Sequence, residues 1–452
     1  MAGTSGGASA GSVARFARAW ASCIVVGVVL VPVLLVQPWR TYLDQGPIRS
    51  DGLGYFAWTR AALDGTLDFC RYPTVVPVAV VEVPRPTRDD PDAYRCADRY
   101  PPGLAMLQFP VMAPLADHGD DPAVVTGAQH EASLWLGGLA LMVACVAVVA
   151  TARRLGARGW GVHVGVLVFV FGAGLFPFAT YAASYVHVHE AMFVAILLWV
   201  GVRVHQGGRH LGVALLGAFS AFFLVVIRNV DLLVLGVLVA AYLCWTWWAR
   251  SEVAVRERVR GLALDVLPVV AGAALACAFQ LLLNHHISGG WTLSSYGSGE
   301  DFVFDHPMQR AVLFSYDRGL FVYAPVVLLT IAVGLAVARS RALAALYALL
   351  VVMLATLYGF WFQWQLGGGA GFGHRGFVDV APVGMLVAAV ALPALSKAPR
   401  VVVAVLAIGC ALWTLQLALL MWNYEFPEYT VTPSVYWAHT IGEDSLWRRA
   451  LP

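Results

Sequence analysis

Apolar runs of about 20 residues recur along this chain, from one near position 19 to one ending near 422. At 1.5 Å per residue, a helix of that length crosses the roughly 30 Å hydrocarbon core of a bilayer. In lipid no water satisfies backbone N–H and C=O groups, so a spanning segment must be a helix or part of a closed barrel. Long continuous apolar runs select the helix over the alternating strand. Composition agrees: 60% of residues are hydrophobic and 12% charged, against about half and a quarter in soluble domains. Mean hydropathy is +0.72. The expected fold is an all-α polytopic membrane protein with about eleven spanning helices. They are placed near 19–38, 132–152, 161–180, 190–204, 211–228, 232–249, 262–284, 320–338, 341–360, 377–396 and 400–422.

Charge placement orients the bundle, because positive residues stay on the cytoplasmic side. With the N-terminus inside, the inner segments collect 15 of the 29 basic residues, among them Arg15, Arg18, Arg153, Arg154, Arg158, Arg250, Arg339 and Arg400. On that side the acidic residues are Glu252, Glu257 and Asp265, three of 27. Residues 1–18 read as a disordered cytoplasmic N-terminus and 19–422 as the transmembrane domain. Residues 39–131 read as a long first outer loop with juxtamembrane helices, and 423–452 as an outer tail. The first apolar run is too long for a signal peptide and has no cleavage site after it, so it reads as an uncleaved helix. The net charge of +2 gives no reason to expect a nucleic-acid partner; the bilayer is the expected one. A single lysine against 28 arginines, with heavy Ala, Val and Gly use, fits a GC-rich bacterial genome and a bacterial plasma membrane.

Seven cysteines show no CxxC spacing. Cys23, Cys145, Cys244, Cys277 and Cys410 fall in apolar runs and read as packed thiols. Cys70 and Cys96 share the first outer loop, where an oxidising exterior permits a disulfide.

Unusual polar residues concentrate in the outer segments. Ser50-Asp51-Gly52-Leu53-Gly54-Tyr55 opens the first loop. A short interfacial helix is expected to follow, with Tyr55, Trp58, Ala62 and Leu63 on one face. Asp51 can serve there as a helix cap or as a chemical group. Asp64 and Asp68 lie in a turn, and Arg99-Tyr100-Pro101-Pro102-Gly103 leads into an apolar helix near 103–115. His187 and His189 stand at i, i+2 and do not share a helix face, so they read as polar lining of an outer cavity, and no metal site or other cofactor is expected. Arg228 can pair with Asp231 at i, i+3, or face a cavity. Arg318 precedes a helix. Gly371-Phe372-Gly373-His374-Arg375 precedes another, where a glycine-rich turn and a bidentate arginine suit a phosphate group. No GK[ST] follows, so this is not a nucleotide P-loop.

In this order and spacing, the residues resemble the GT-C superfamily of polytopic glycosyltransferases, over about 20–430. That superfamily includes the protein O-mannosyltransferases and the aminoarabinose transferases of lipid A. The anchors are Asp51 with Gly54-Tyr55 and Asp64 to Asp68; Arg99 to Gly103; Arg318-Gly319-Leu320 with Pro325; and Gly371 to Arg375 with Asp379. The resemblance implies a GT-C-like bundle that moves a hexosyl or pentosyl unit from a polyprenyl-phosphate carrier at the outer face. The acceptor would be a cell-envelope glycan, lipid or protein, and the anomeric centre would invert. It implies Asp51 as general base, with Arg375, His374 and Arg318 on the donor phosphate. Tyr55, Asp68, Arg99, Tyr100, His187 and Arg228 are further cavity candidates. Three features depart from the family: no second aspartate adjoins Asp51, the Leu67–Arg99 segment is long, and no large carbohydrate-binding domain follows the last helix. A transporter or lipid flippase and a non-catalytic scaffold are the competing readings.

The arginine asymmetry makes a direct prediction. Reporter fusions after Arg258 and after Trp422 are expected to report opposite sides of the membrane. Both reporting one side overturns the eleven-span topology.

Overall fold

The computed structural model describes residues 7–36, 46–72, 80–84, 94–116, 125–293, 302–361, 373, 375–422, 431–443, 445 and 448. The chain is an all-α polytopic membrane protein. Two helices open it, α1 (Gly7–Ala19) and α2 (Ala21–Val36). The first long connection holds α3 (Asp51–Asp64), strands β1 (Val80–Pro84) and β2 (Tyr94–Asp98), and α4 (Gly103–Met112). The bundle continues with α5 (Gly127–Arg154), α6 (Trp160–Gly172), α7 (Leu175–Thr180), α8 (His187–His205), α9 (Leu211–Ile227), α10 (Asp231–Ala249) and α11 (Val255–Ser288). It closes with α12 (Gln309–Phe314), α13 (Leu320–Tyr323), α14 (Pro325–Ala336), α15 (Arg341–Gly359), α16 (Ala381–Ala394), α17 (Lys397–Trp422) and α18 (Pro433–Thr440).

Six of these helices are long and apolar enough to cross a membrane: α5, α8, α10, α11, α15 and α17. Helices α2, α6, α9, α14 and α16 are shorter apolar helices and stand at the other five expected positions. Where bounds differ, local chemistry explains it. The expected 161–180 helix breaks at Gly174, whose φ is 82°. The expected 320–338 helix is interrupted at Ala324, because Pro325 has no N–H and starts a new helix. Helix α11 begins seven residues earlier than expected, its first turns carrying Arg256, Glu257, Arg258 and Arg260.

Helix α16 is the central element, with every residue from Ala381 to Leu392 buried. Its Ala, Val and Gly side chains let α6, α5, α8, α14 and α15 pack closely around it. Helices α10 and α11 lie at the edge and turn Leu233, Trp248, Leu267 and Leu282 outward. Cys244 is exposed on α10, a correction to its reading as a packed thiol; Cys23 and Cys145 are buried as expected.

The first long connection packs onto the bundle. Helix α3 buries Gly52 and every residue from Gly54 to Ala61 and exposes Ala62 and Leu63. It is thus clamped within the protein, and the one-faced interfacial helix expected from spacing is corrected. A capping box starts α5: Gln129 N–H donates to Thr126 Oγ1, and Thr126 N–H donates to Gln129 Oε1. The antiparallel β1–β2 pair, with Glu82 opposite Cys96, was not expected. Cys96 is bonded to Cys70, with Cα atoms 5.1 Å apart. Helix α18 folds back onto α17, where Trp413 Nε1–H donates to the Tyr436 hydroxyl at 3.0 Å.

The disulfide closes a 26-residue separation, which in chain-entropy terms is worth about 3 kcal/mol. C70S/C96S is therefore expected to unfold at lower temperature than the parent, and reductant should lower the parent alone. A parent melting curve that ignores reductant excludes a stabilising disulfide.

Candidate active site

The chain turns into α3 through an unusual backbone. Among the described residues, Ser50 is the non-glycine with positive φ, at φ 48° and ψ −127°. These angles belong to a position that turns normally give to glycine, and such a residue costs about 1–3 kcal/mol. Gly52 N–H closes the turn onto the Arg49 carbonyl at 2.8 Å. Gly52 itself abuts Ser184, where a Cβ would collide with Oγ. Ser184 Oγ–H donates to the Pro47 carbonyl at 2.7 Å. The first turn of α3 is thereby pinned against the α7–α8 connection.

Asp51 does not cap its helix. Its carboxylate meets Arg375 at 2.7 Å, with the two side chains 18% and 26% exposed, so the pair stays within reach of water. The Arg375 guanidinium lies over the Tyr185 ring, 5.4 Å from its centre. Tyr55 and Tyr100 lie in the neighbourhood of Arg375. Tyr55 and Tyr100 are buried, with ring centres 4.9 Å apart, and the Tyr100 carbonyl accepts from Trp58 Nε1–H at 2.7 Å. Burial, and then the Asp51 carboxylate, pushes the Tyr185 phenol up, so it remains a neutral donor.

A second charged cluster lies on the other side of the same short turn. Asp379 Oδ1 contacts His187 Nδ1 at 2.9 Å, and Asp379 Oδ2 accepts from Arg228 Nη1 at 2.6 Å. Arg228 Nη2 donates to the Tyr358 hydroxyl at 2.5 Å. Glu190 approaches His187 at 3.4 Å and Arg228 at 3.7 Å. Gly376 is held against Tyr358, where a side chain would clash. Asp231 is fully buried, and neither of its carboxylate oxygens has a hydrogen-bond partner among the described residues. The expected Arg228–Asp231 pair is therefore corrected to Arg228–Asp379. His187 and His189 are also corrected: both are buried, and His189 contacts Gln108 at 3.3 Å. His187, Glu190 and Asp379 place their ligand atoms within 4.8 Å of one another. A divalent cation could use that set, and Arg228 already brings positive charge to two of its carboxylates.

The other expected residues separate. Asp68 Oδ1 accepts from the N–H of Cys70 at 3.2 Å and of Cys96 at 3.4 Å, so it braces the disulfide loop. Asp64 Oδ2 accepts from the Tyr72 hydroxyl at 2.9 Å and from Arg60 Nε at 3.3 Å. Arg99 is half-buried at the end of the hairpin. Arg318 is buried ahead of α13, and Gly373 lies against Tyr323 of that helix, which puts the Arg318 and Arg375 segments side by side. His374 lies outside the described residues. Glu190 and Tyr358 escaped the sequence reading. A carboxylate inside an apolar helix was the available signal for Glu190; Tyr358 carried none.

No family model and no curated protein matches this chain. Among solved structures, the fold is similar to the Archaeoglobus fulgidus oligosaccharyltransferase in the apo form. The TM-score is 0.54 at 12% identity, over 96% of this chain and 59% of that one. The chain thus spans about three-fifths of the length of that relative. This likeness establishes the fold.

Removing one partner of a buried ion pair leaves the other charge uncompensated, at a cost of about 3–5 kcal/mol. R228M is expected to lower the melting temperature far more than R256M, which alters an exposed residue. Equal melting temperatures would mean that Arg228 holds nothing together.

Proposed function

We propose that this chain is a membrane glycosyltransferase that moves a sugar from a polyprenyl-phosphate carrier to an acceptor at the outer face. The observation that carries the reading is the Asp51–Arg375 contact of 2.7 Å, in a fold similar to that of an oligosaccharyltransferase. Glycosyl transfer from a lipid phosphate needs a base at the acceptor hydroxyl and positive charge at the leaving oxygen. Asp51 and Arg375 are those two groups. The mechanism calls for several ångströms between them, flanking the anomeric carbon; the direct 2.7 Å contact corrects that spacing and corresponds to an empty resting state. Donor binding exchanges the partner: the phosphate takes the Arg375 guanidinium through two parallel hydrogen bonds, and the Asp51 carboxylate turns to the acceptor.

The reaction then follows from charge. Asp51 removes the acceptor O–H proton as that oxygen bonds to the anomeric carbon from the face opposite the phosphate. The bond from carbon to phosphate oxygen breaks, and its electron pair leaves with the lipid phosphate, so the centre inverts. Arg375 holds the departing charge, with Arg318 and His374 as its neighbours in the donor site. The Tyr185 ring faces the guanidinium, with the Tyr55–Tyr100 ring pair in the neighbourhood. Asp379, Arg228 and His187 position the turn that carries Arg375. Residues 19–422 form the catalytic domain, in a bacterial plasma membrane with the N-terminus cytoplasmic and the acceptor drawn from the cell envelope.

The test uses purified protein and measures release of polyprenyl phosphate. D51N preserves size and removes the base, so transfer is expected to fall by about two orders of magnitude or more. R375K keeps charge and loses the bidentate fork, so donor KM should rise more than kcat falls. Near-normal transfer in D51N overturns the assignment of the base. Donor movement across the bilayer without sugar release would favour a flippase.

A further inference from the structure

The end of the bundle farthest from Asp51 carries a second built feature. Asp51 lies near the start of α5, where Ile48 N–H donates to His130 Nδ1 at 3.1 Å. Arg153 and Arg154 lie at the other end of that 28-residue helix, about 40 Å away at 1.5 Å per residue. There a cavity of about 330 Å³ is lined by Arg153, Arg158, Gly159, Val162 and His163, within the range of small-ligand pockets.

The wall is tied on both sides. Ser22 N–H donates to His163 Nδ1 at 3.3 Å, so the ring proton sits on Nε2 and is donated to the Arg18 carbonyl at 3.0 Å. His163 is thus committed to joining α6 to the α1–α2 junction and offers the cavity a neutral ring. The two arginines are not committed in that way. Among the described residues, Arg158 has no hydrogen-bond or ion-pair partner, and Arg153 is engaged through the Trp20 face at 5.4 Å. Nearby arginines spend their donors on carbonyls: Arg339 on Leu155, and Arg400 on Pro393 and Leu395. No carboxylate among the described residues forms an ion pair with any of these arginines. The cavity therefore holds uncompensated positive charge. Its depth is marked by Trp20 beneath Arg153 and by the half-exposed Trp160 beneath Arg400, since tryptophans sit at the headgroup level.

We propose that this cavity binds the phosphate of an anionic phospholipid headgroup in the leaflet facing that end. Guanidinium groups meet phosphate oxygens with paired hydrogen bonds, and interfacial depth brings the headgroup rather than the acyl chain to them. The site is independent of the sugar-transfer reading and is tested without activity.

The full chain, purified in detergent, is titrated with phosphatidylglycerol while its melting temperature is followed. Phosphatidylcholine and inorganic phosphate are the comparison probes. Phosphatidylglycerol is expected to stabilise, the other two not. R153Q/R158Q should need about 30-fold more phosphatidylglycerol for the same shift, the factor expected from losing two arginine–headgroup contacts. R158Q alone, which changes an exposed side chain, should need about fivefold more and serves if the double variant does not fold. R256Q, on the same side but away from the cavity, should titrate like the parent. Equal stabilisation by inorganic phosphate makes this a small-anion site and overturns the lipid assignment. Equal stabilisation by phosphatidylcholine overturns it as well, and so does an unchanged titration of R158Q or a loss in R256Q as large as in R158Q.

Discussion

Charge placed within an apolar bundle must be paired, and one turn carries that requirement here. Residues 375–379 present Arg375 to Asp51 on one side and Asp379 to Arg228 and His187 on the other. The first pair joins the turn to α3, and the second joins it to α8 and to the α9–α10 connection. Gly376 allows Tyr358 of α15 to press against the same turn. Four distant parts of the chain are therefore held by five residues that immediately precede the central helix α16. An ion pair that is only partly exposed keeps most of its Coulomb energy, whereas either charge alone is costly in so apolar a setting. This asymmetry fixes the geometry more firmly than packing of small side chains could.

The bundle was legible because lipid imposes a single demand, a long apolar helix, and the sequence states it eleven times. Helix breaks were less legible. Gly174 and Pro325 lie inside apolar runs, and periodicity does not separate a broken helix from a continuous one. The hairpin was hidden for another reason. Its segment is rich in Pro and Arg, and Val80–Pro84 pairs with Tyr94–Asp98 under a constraint from the disulfide that spacing permits without requiring.

The site was legible in part. Asp51 and Arg375 lie over 300 residues apart, yet both stand just ahead of or at the start of helices, and the resemblance to GT-C enzymes placed them in one cavity. Arg228 shows the opposite case. The i, i+3 rule favoured Asp231, but Arg228 caps α9 with an extended backbone at φ −156° and ψ 118°, so the helical geometry behind that rule does not hold. Its actual partner, Asp379, is 151 residues away, and a pairing at that distance leaves no local trace. Asp64 and Asp68 are further carboxylates of the same first loop. Their oxygens are taken by Tyr72, Arg60 and the N–H groups of Cys70 and Cys96, which gives each a structural task.

On the proposed function, the Asp51–Arg375 contact lets a base and a phosphate-binding cation share one small site before substrate arrives. Left unpaired in an apolar setting, each would draw water or shift its protonation. Paired, each charge has an opposite partner, and the contact is exposed enough to open. A phosphate offers the Arg375 guanidinium two parallel charge-assisted hydrogen bonds in place of its 2.7 Å contact with Asp51. The strained Ser50 turn keeps Asp51 at the mouth of α3 during that exchange. On the proposed mechanism, the carboxylate turns to the acceptor hydroxyl while this turn stays in place.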